Sequence, residues 1–142
     1  MSDTLQQRKL SIFKQMNENE VGAIIVDSAI SIHIGLGPGL LESVYEVVLA
    51  HELEKSGLSV QRQVSIPIKY NGMKFKEGFR ADIIVESKVI IELKSVESVN
   101  KAHKKQVLTY LKLTNYKLGY LLNFGEPLMK SGISRIINGT ID

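Results

Sequence analysis

Apolar residues recur along the chain with a helical period in some segments and an alternating period in others, which predicts two successive helices, then strands, a third helix and further strands. From Glu20 to Gly35 the spacing is helical, and after a glycine-rich break a second helix is predicted from Pro38 to about Ser56. A third helix is predicted from the N-cap Asn100 to about Thr114. Residues 1–19 are polar without strong periodicity, so we interpret them as an N-terminal arm and residues 20–142 as a single domain.

The intervening segments are rich in β-branched residues and are bounded by turn residues, which is typical of strands. They cover residues 58–68, 74–77, 83–85, 89–91, 118–124 and 132–137. The first is interrupted near Pro67, and Asn71-Gly72 is a hairpin turn signal before the second. Helices alternating with strands in this way predict an α/β fold, with a mixed sheet flanked by helices on both faces.

The two runs around residue 87 predict a hairpin with a defined register. If the turn centres on Ser87, residue i faces residue 174 − i, which places Asp82 opposite Glu92. Side chains alternate along a strand, so the odd-numbered apolar residues from Ile83 to Leu93 share one face. Asp82, Glu92 and Lys94 share the other face, together with the apolar Ile84 and Ile90.

Two carboxylates and an amine on one sheet face can hold a divalent metal ion against a phosphodiester. Facing carboxylates destabilise a sheet unless a cation lies between them, and Lys94 neutralises only part of this charge. The alternative is a solvated face of alternating charges with no functional role. Asp82 and Glu92 are therefore candidate metal ligands, with Lys94 as a candidate catalytic residue.

Composition limits the function classes. With 142 residues and 44% hydrophobic content the chain can form one core, and without cysteine it has neither disulfides nor thiolate metal sites. The polar start lacks a signal-peptide pattern, and the apolar stretch from Val21 to Ile34 is too short to span a bilayer and is interrupted by Asp27. We therefore expect a cytoplasmic protein without membrane association.

Charge is compatible with nucleic-acid binding. The formal net charge is +3, which permits but does not require a nucleic-acid partner. Basic residues cluster on the third helix and along the strands that lead to Asp82, at Lys101, Lys104, Lys105, Lys112, Lys69, Lys74, Lys76 and Arg80. Each cluster is interpreted either as a phosphate-binding track or as a solvated surface.

The order of elements, with Asp82 followed by Glu92-Leu93-Lys94, resembles the PD-(D/E)XK nuclease superfamily. The segment Gly39 to Tyr45, which reads GLLESVY, resembles the signature of the GxxExxY family of bacterial proteins, and the resemblance continues through Asn123-Phe124-Gly125. Gln106 and Tyr110 resemble the helix motif of the RecB-like branch of the superfamily. Ala81 stands where the superfamily's name has proline.

This resemblance implies a restriction-endonuclease-like core in the order α-β-β-β-α-β, with Mg²⁺ or Mn²⁺ as cofactor. The metal ligands would be the carboxylates of Asp82 and Glu92 and the backbone carbonyl of Leu93. Lys94 would orient or deprotonate the attacking water. Glu42 matches an acidic residue that the superfamily often adds for the metal or its water; the alternative is a first-turn glutamate that stabilises the helix dipole.

Three polar residues of the third helix fall on one face. His103, Gln106 and Tyr110 are spaced i, i+3 and i+7, and with Lys101 and Lys104 they are candidate substrate-binding residues. The alternative for Tyr110 is a core aromatic residue with its hydroxyl at the rim.

We therefore predict a metal-dependent nuclease that hydrolyses phosphodiester bonds in DNA or RNA. The alternative is a non-catalytic nucleic-acid-binding or assembly module that retains the nuclease fold. The small size and modest charge favour a homodimer or a partner protein.

Overall fold

The computed structural model describes residues 16–141 as four helices and five strands. These are α1 (Glu18–Leu36), α2 (Glu42–Lys55), β1 (Val60–Tyr70), β2 (Met73–Val85), β3 (Val89–Lys94), α3 (Lys101–Thr114), β4 (Leu118–Asn123), α4 (Met129–Gly132) and β5 (Ile133–Ile137). Most of the predicted arm, residues 1–15, lies outside the described residues. Helix α1 starts two residues before the predicted Glu20, because Asn17 and Glu20 exchange side-chain to backbone hydrogen bonds in a capping box.

The strands form one mixed sheet in the order β1-β2-β3-β4-β5. Strands β3 and β4 are parallel and are joined by α3, while the other neighbouring strands are antiparallel. This is the mixed α/β architecture that the sequence predicts. It places the end of β3, at Lys94, beside Asn123 at the end of β4.

A separate apolar cluster covers each face of the sheet. Helices α1 and α2 pack on one face, where Ile25 and Leu49 belong to the same buried cluster as Ile83 and Ile91. Helix α3 packs on the other face with Val107 and Leu111, against Ile84 and Ile90. The odd-numbered residues of the hairpin thus face α1 and α2, as predicted.

The β2–β3 hairpin has the predicted register. Val85 pairs with Val89 and Ile83 with Ile91, and the turn contains Glu86 and Ser87 at φ values of 53° and 50°. Continuing this register places Asp82 opposite Glu92. The turn chemistry and the apolar alternation therefore fix the relative position of two charged residues that are ten positions apart.

Strand β2 is longer than the sequence predicts. The expected short strand at 74–77 and the run at 83–85 are parts of one strand, because β1 pairs with β2 along almost its whole length. Pro67 does not end β1; it lies at a register irregularity between Ile66 and Ile68. Residues 66–80 have no pairing with β3 and form a two-stranded extension, which we call the ribbon.

The side-chain alternation of β2 is interrupted at Asp82. Phe79 and Ala81 belong to the cluster under α3, whereas Ile83, of the same parity, belongs to the opposite cluster. The residue across from Asp82 on β1 is Gln63, whose φ of 51° is unusual for a non-glycine residue in a strand. Odd-numbered residues of β2 therefore face α3 before Asp82, and face α1 and α2 after it.

The second helix starts later than predicted. It begins at Glu42 rather than Pro38, because Gly37 and Gly39 adopt φ values of 75° and 94° that no helix accommodates. The Tyr45 hydroxyl fixes this loop by donating to the Gly37 carbonyl at 2.6 Å and accepting from the Leu40 amide at 3.1 Å.

Helix α1 is, among the described residues, the one helix with the length and mean hydropathy of a membrane span. In the structure its residues Val21, Ile25, Ala29 and Ile32 are buried against the sheet and α2. This packing is typical of the core helix of a globular domain.

Candidate metal centre

Asp82 and Glu92 lie side by side between β2 and β3, on the side of the sheet that α3 covers. A carboxylate oxygen of Glu92 accepts a hydrogen bond from the Asp82 amide at 3.3 Å. A carboxylate oxygen of Asp82 accepts one from the Leu93 amide at 2.9 Å. Each side chain is thus held by the backbone of the partner strand, and the two carboxyl groups are brought together by the hairpin register.

The environment of Glu92 disfavours its negative charge. Only 8% of the residue is exposed, and burial, followed by the charge and hydrogen bonding of Asp82, raises the pKa of Glu92 to about 9. Lys94 contributes a smaller effect in the opposite direction, which places its charge near the same carboxyl group. This environment therefore favours the protonated form of Glu92 in the metal-free protein.

Asn123 and Gly125 support the segment that follows Lys94. The fully buried Asn123 side chain donates to the Val96 carbonyl and accepts from the Val96 amide, each at 3.0 Å. Gly125 contacts Val96 so closely that an added Cβ would overlap the Val96 backbone. The sequence singled out residues 123–125 only through a family resemblance; the buried amide of Asn123 is the signal that assigns them a role.

A polar network connects α2 to the carboxyl pair. Buried Glu46 accepts from Arg62 at 2.8 and 3.1 Å and from the Gln63 amide group at 2.6 Å. The same Gln63 nitrogen lies 3.4 Å from a carboxylate oxygen of Asp82. Glu46 was not among the residues predicted from the sequence. A charged residue at a core position, one turn after Glu42, is the signal that could have found it.

Glu42 lies in the first turn of α2 and is exposed. It borders an open pocket of about 500 Å³, together with Gly39, Leu40, Leu41, Ser43 and Ser95. Ser95 follows Lys94 directly, and its hydroxyl donates to the Leu40 carbonyl at 2.5 Å. The pocket thus adjoins the Lys94 segment, and the role of Glu42 at the metal stays a prediction.

Tyr110 and Gln106 lie on the carboxylate side of the sheet. The Tyr110 ring stacks on Phe79 with centroids 3.8 Å apart and planes within 6°. Burial raises the pKa of Tyr110, and so do the nearby charges of Glu92 and Asp82, while a hydrogen bond from Gln106 lowers it. The structure thus brings both helix residues to the candidate site, and their contact with substrate stays a prediction.

The other α3 residues lie at its N-terminus. The His103 Nδ1 accepts from the Asn100 amide at 3.3 Å, and the Asn100 side chain accepts from the His103 amide at 3.1 Å. One ring nitrogen of His103 therefore participates in helix capping, as the N-cap at Asn100 predicts. Lys101 and Lys104 are exposed on the first turn, and the substrate contacts of all three residues stay predictions.

The donor set fits Mg²⁺ or Mn²⁺. Within residues 16–141 no group of three or more His, Cys, Asp or Glu side chains is arranged to hold a metal ion, so the protein offers two carboxylates. Mg²⁺ often binds through one or two carboxylates and completes its shell with water and substrate oxygens. A cation at Asp82 and Glu92 would also favour the ionised form of Glu92, which burial disfavours.

Comparisons with known proteins agree with this fold. The family model described as PD-(D/E)XK nuclease superfamily matches residues 19–136, which is most of the chain. The crystal structure of SSO0001 is similar in fold, with a TM-score of 0.51 and 20% sequence identity. The alignment covers all of this chain and 79% of that one. No curated protein matches the sequence.

Proposed function

Because the chain belongs to the PD-(D/E)XK nuclease superfamily, we propose that it is a metal-dependent nuclease that hydrolyses phosphodiester bonds in DNA. The observation that carries the proposal is the proximity of the buried Glu92 carboxyl group to the half-buried Asp82, with the charge of Lys94 beside them. A pair that destabilises the metal-free fold is typical of a site shaped by function.

Asp82 and Glu92 would hold Mg²⁺ or Mn²⁺, with the Leu93 carbonyl as a third protein oxygen. When bound, the ion would supply positive charge against the phosphoryl oxygens of the scissile group. Lys94 would orient the attacking water and offset the negative charge that develops on the phosphate. Gln63 would hold Asp82 in place from the opposite strand, with Glu46 fixing the Gln63 amide.

The substrate would reach this centre from the α3 side. Tyr110 and Gln106 lie there, next to the carboxyl pair, with the lysines of the first α3 turn further along the helix. We propose a cytoplasmic site of action, because nucleic acid is present there. Helix α1, which has the length and hydropathy of a membrane span, packs in the core of the domain. Membership of the GxxExxY family is part of the same proposal.

The test is cleavage of labelled single- and double-stranded DNA with Mg²⁺, with Mn²⁺ and with EDTA. We expect wild-type cleavage only with a metal ion, a loss of at least about 100-fold for Asp82→Asn, and a comparable loss for Lys94→Ala. Glu54→Gln, on the exposed face of α2, is the matched control and should cleave normally.

Metal binding, measured by calorimetry, distinguishes the proposed metal ligand Asp82 from the proposed catalytic residue Lys94. Lys94→Ala should bind Mn²⁺ nearly as well as wild type, because the amine is not a ligand, whereas Asp82→Asn should not. If wild type binds no metal and cleaves neither DNA, the proposal is wrong and the non-catalytic binding module takes its place.

A further inference from the structure

The ribbon, residues 66–80, carries apolar side chains at its tip that the core does not cover. Directly paired residues in an antiparallel ladder share a face, and the register pairs Tyr70 with Met73 and Ile68 with Phe75. Tyr70, Met73 and Phe75 are 66%, 54% and 50% exposed. Three large apolar side chains grouped at the tip of one element indicate a binding surface rather than scattered surface residues.

This face continues into the candidate metal centre. Ile66 and Ile68 pack with the cluster beneath α3, which also contains Phe79 and Tyr110. The Phe79–Tyr110 stack lies near the carboxyl groups of Asp82 and Glu92. A strand of substrate that lies along the exposed face of the ribbon would therefore reach the carboxyl pair without crossing the sheet.

The opposite face of the ribbon is basic. Lys69 pairs with Lys74, and Lys76 follows Phe75; all three are exposed. Of the 18 basic and 15 acidic residues of the chain, four basic residues and one acidic residue, Glu77, lie in the ribbon. The remaining 14 basic and 14 acidic residues balance, so the whole net charge of +3 resides in this element.

We propose that the ribbon is a platform for single-stranded DNA, on which unpaired bases stack upon Tyr70 and Phe75 while Lys69, Lys74 and Lys76 attract the phosphates. This proposal rests on the proposed nuclease function and specifies single-stranded DNA as the substrate class. Exposed aromatic rings favour a single strand, because every unpaired base offers a face for stacking whereas a duplex hides its bases. The lysines lie on the opposite face of the same two-stranded element, and their charge would attract the polyanion to the ribbon.

The dimensions are consistent with this role. From Ile66 to the turn at Asn71 the ribbon extends roughly 17 Å, at about 3.3 Å per residue. That is enough for two or three nucleotides beyond the metal centre. The turn itself is tight, with Asn71 and Gly72 at φ values of 48° and 78°, so the tip holds Tyr70 and Met73 directly opposite each other.

The experiment measures binding rather than cleavage. Fluorescence anisotropy in EDTA compares a labelled 30-nucleotide single strand with a blunt duplex of the same sequence. We expect wild type to bind the single strand about tenfold or more tightly, and Tyr70→Ala/Phe75→Ala to lose at least about tenfold for the single strand but little for the duplex. Ile34→Ala/Leu128→Ala, which removes exposed apolar residues away from the ribbon, is the matched control and should bind normally.

A second pair of variants tests the lysines. Lys69→Gln/Lys74→Gln should weaken binding and reduce its salt dependence, with Lys55→Gln/Lys130→Gln as the control of equal charge change. If the aromatic double variant does not fold, Tyr70→Ala alone, at the most exposed of these positions, answers the same question. Tyr70→Phe should bind the single strand as tightly as wild type, because the aromatic ring is retained.

Three results would overturn the proposal. They are equal affinity of wild type for duplex and single strand, unchanged binding by the aromatic variants, and a change of oligomeric state in those variants, which would make the face a contact between two copies. Failure of the nuclease function has a different signature. In that case cleavage is absent with every metal, while single-strand binding in EDTA still depends on Tyr70 and Phe75.

Discussion

Replacing Glu92 by glutamine should stabilise the metal-free protein. At pH 7.5 a glutamate in the unfolded chain is ionised, whereas burial and Asp82 raise the folded-state pKa of Glu92 to about 9. The folded protein must therefore take up a proton against the solution pH. The unfolded-state pKa near 4.5 lies three pH units below pH 7.5, so taking up this proton lowers the stability of the folded protein by at most about 4 kcal/mol. Glutamine carries no charge and retains the oxygen that accepts from the Asp82 amide.

The sign of the pH dependence follows from the direction of the shift. A raised carboxyl pKa leaves stability unaffected below about pH 4.5 and lowers it as the pH rises from there to about 9. Wild type should therefore lose stability across this window relative to Glu92→Gln. The two proteins should be nearly equal at pH 5 and differ by several kcal/mol at pH 8. Urea denaturation in EDTA at these two pH values measures the difference.

Metal ions should reduce the difference in stability between the two proteins. Mn²⁺ at about 100 times its dissociation constant would stabilise wild type by about 2.7 kcal/mol, and Glu92→Gln, which lacks one ligand, by far less. Glu54→Gln controls for the loss of a surface charge. If Glu92→Gln is less stable than wild type in EDTA at pH 8, or if the difference is the same at both pH values, the reasoning about this carboxyl pair is refuted.

Two further substitutions test the parts around the centre. Glu46→Gln should lower the free energy of unfolding by about 1–3 kcal/mol, the opposite of the effect of Glu92→Gln, as measured by urea denaturation. Buried Glu46 accepts two hydrogen bonds from Arg62, and a neutral amide would weaken both. Gly125→Ala should lower the melting temperature by several degrees, because the added methyl group would overlap the Val96 backbone, whereas Gly35→Ala, which meets no neighbouring atom, should leave it unchanged or raise it.

Local rules were sufficient to predict the hairpin that carries the carboxyl pair. Its register depends on one turn and on the alternation of apolar residues across ten positions, so Asp82 and Glu92 could be placed opposite each other from the sequence. The N-cap at Asn100 and the Asn71-Gly72 turn are equally local and are also as predicted. The mixed sheet between helices follows from the order of these elements.

Features that depend on distant partners could not be predicted in the same way. Glu46 gains its role from Arg62 and Gln63, which are 16 and 17 positions away on another element. The Tyr45 hydroxyl keeps the preceding loop out of the helix that Pro38 favours by itself. The length of β2 could not be predicted because residues 78–82 contain no β-branched residue, and they join the strand through backbone pairing with β1.

The reversal of strand faces at Asp82 separates two tasks within one strand. On one side of it, the short turn at Ser87 sets the distance between the two carboxyl groups. On the other side, residues 66–80 form a terminal extension whose length has no influence on that distance. Inserting or deleting the same number of residues in β1 and β2 near Asn71 would therefore lengthen or shorten the ribbon and leave Asp82 and Glu92 in place. Natural variation in substrate preference can accumulate in this extension, independently of the catalytic chemistry.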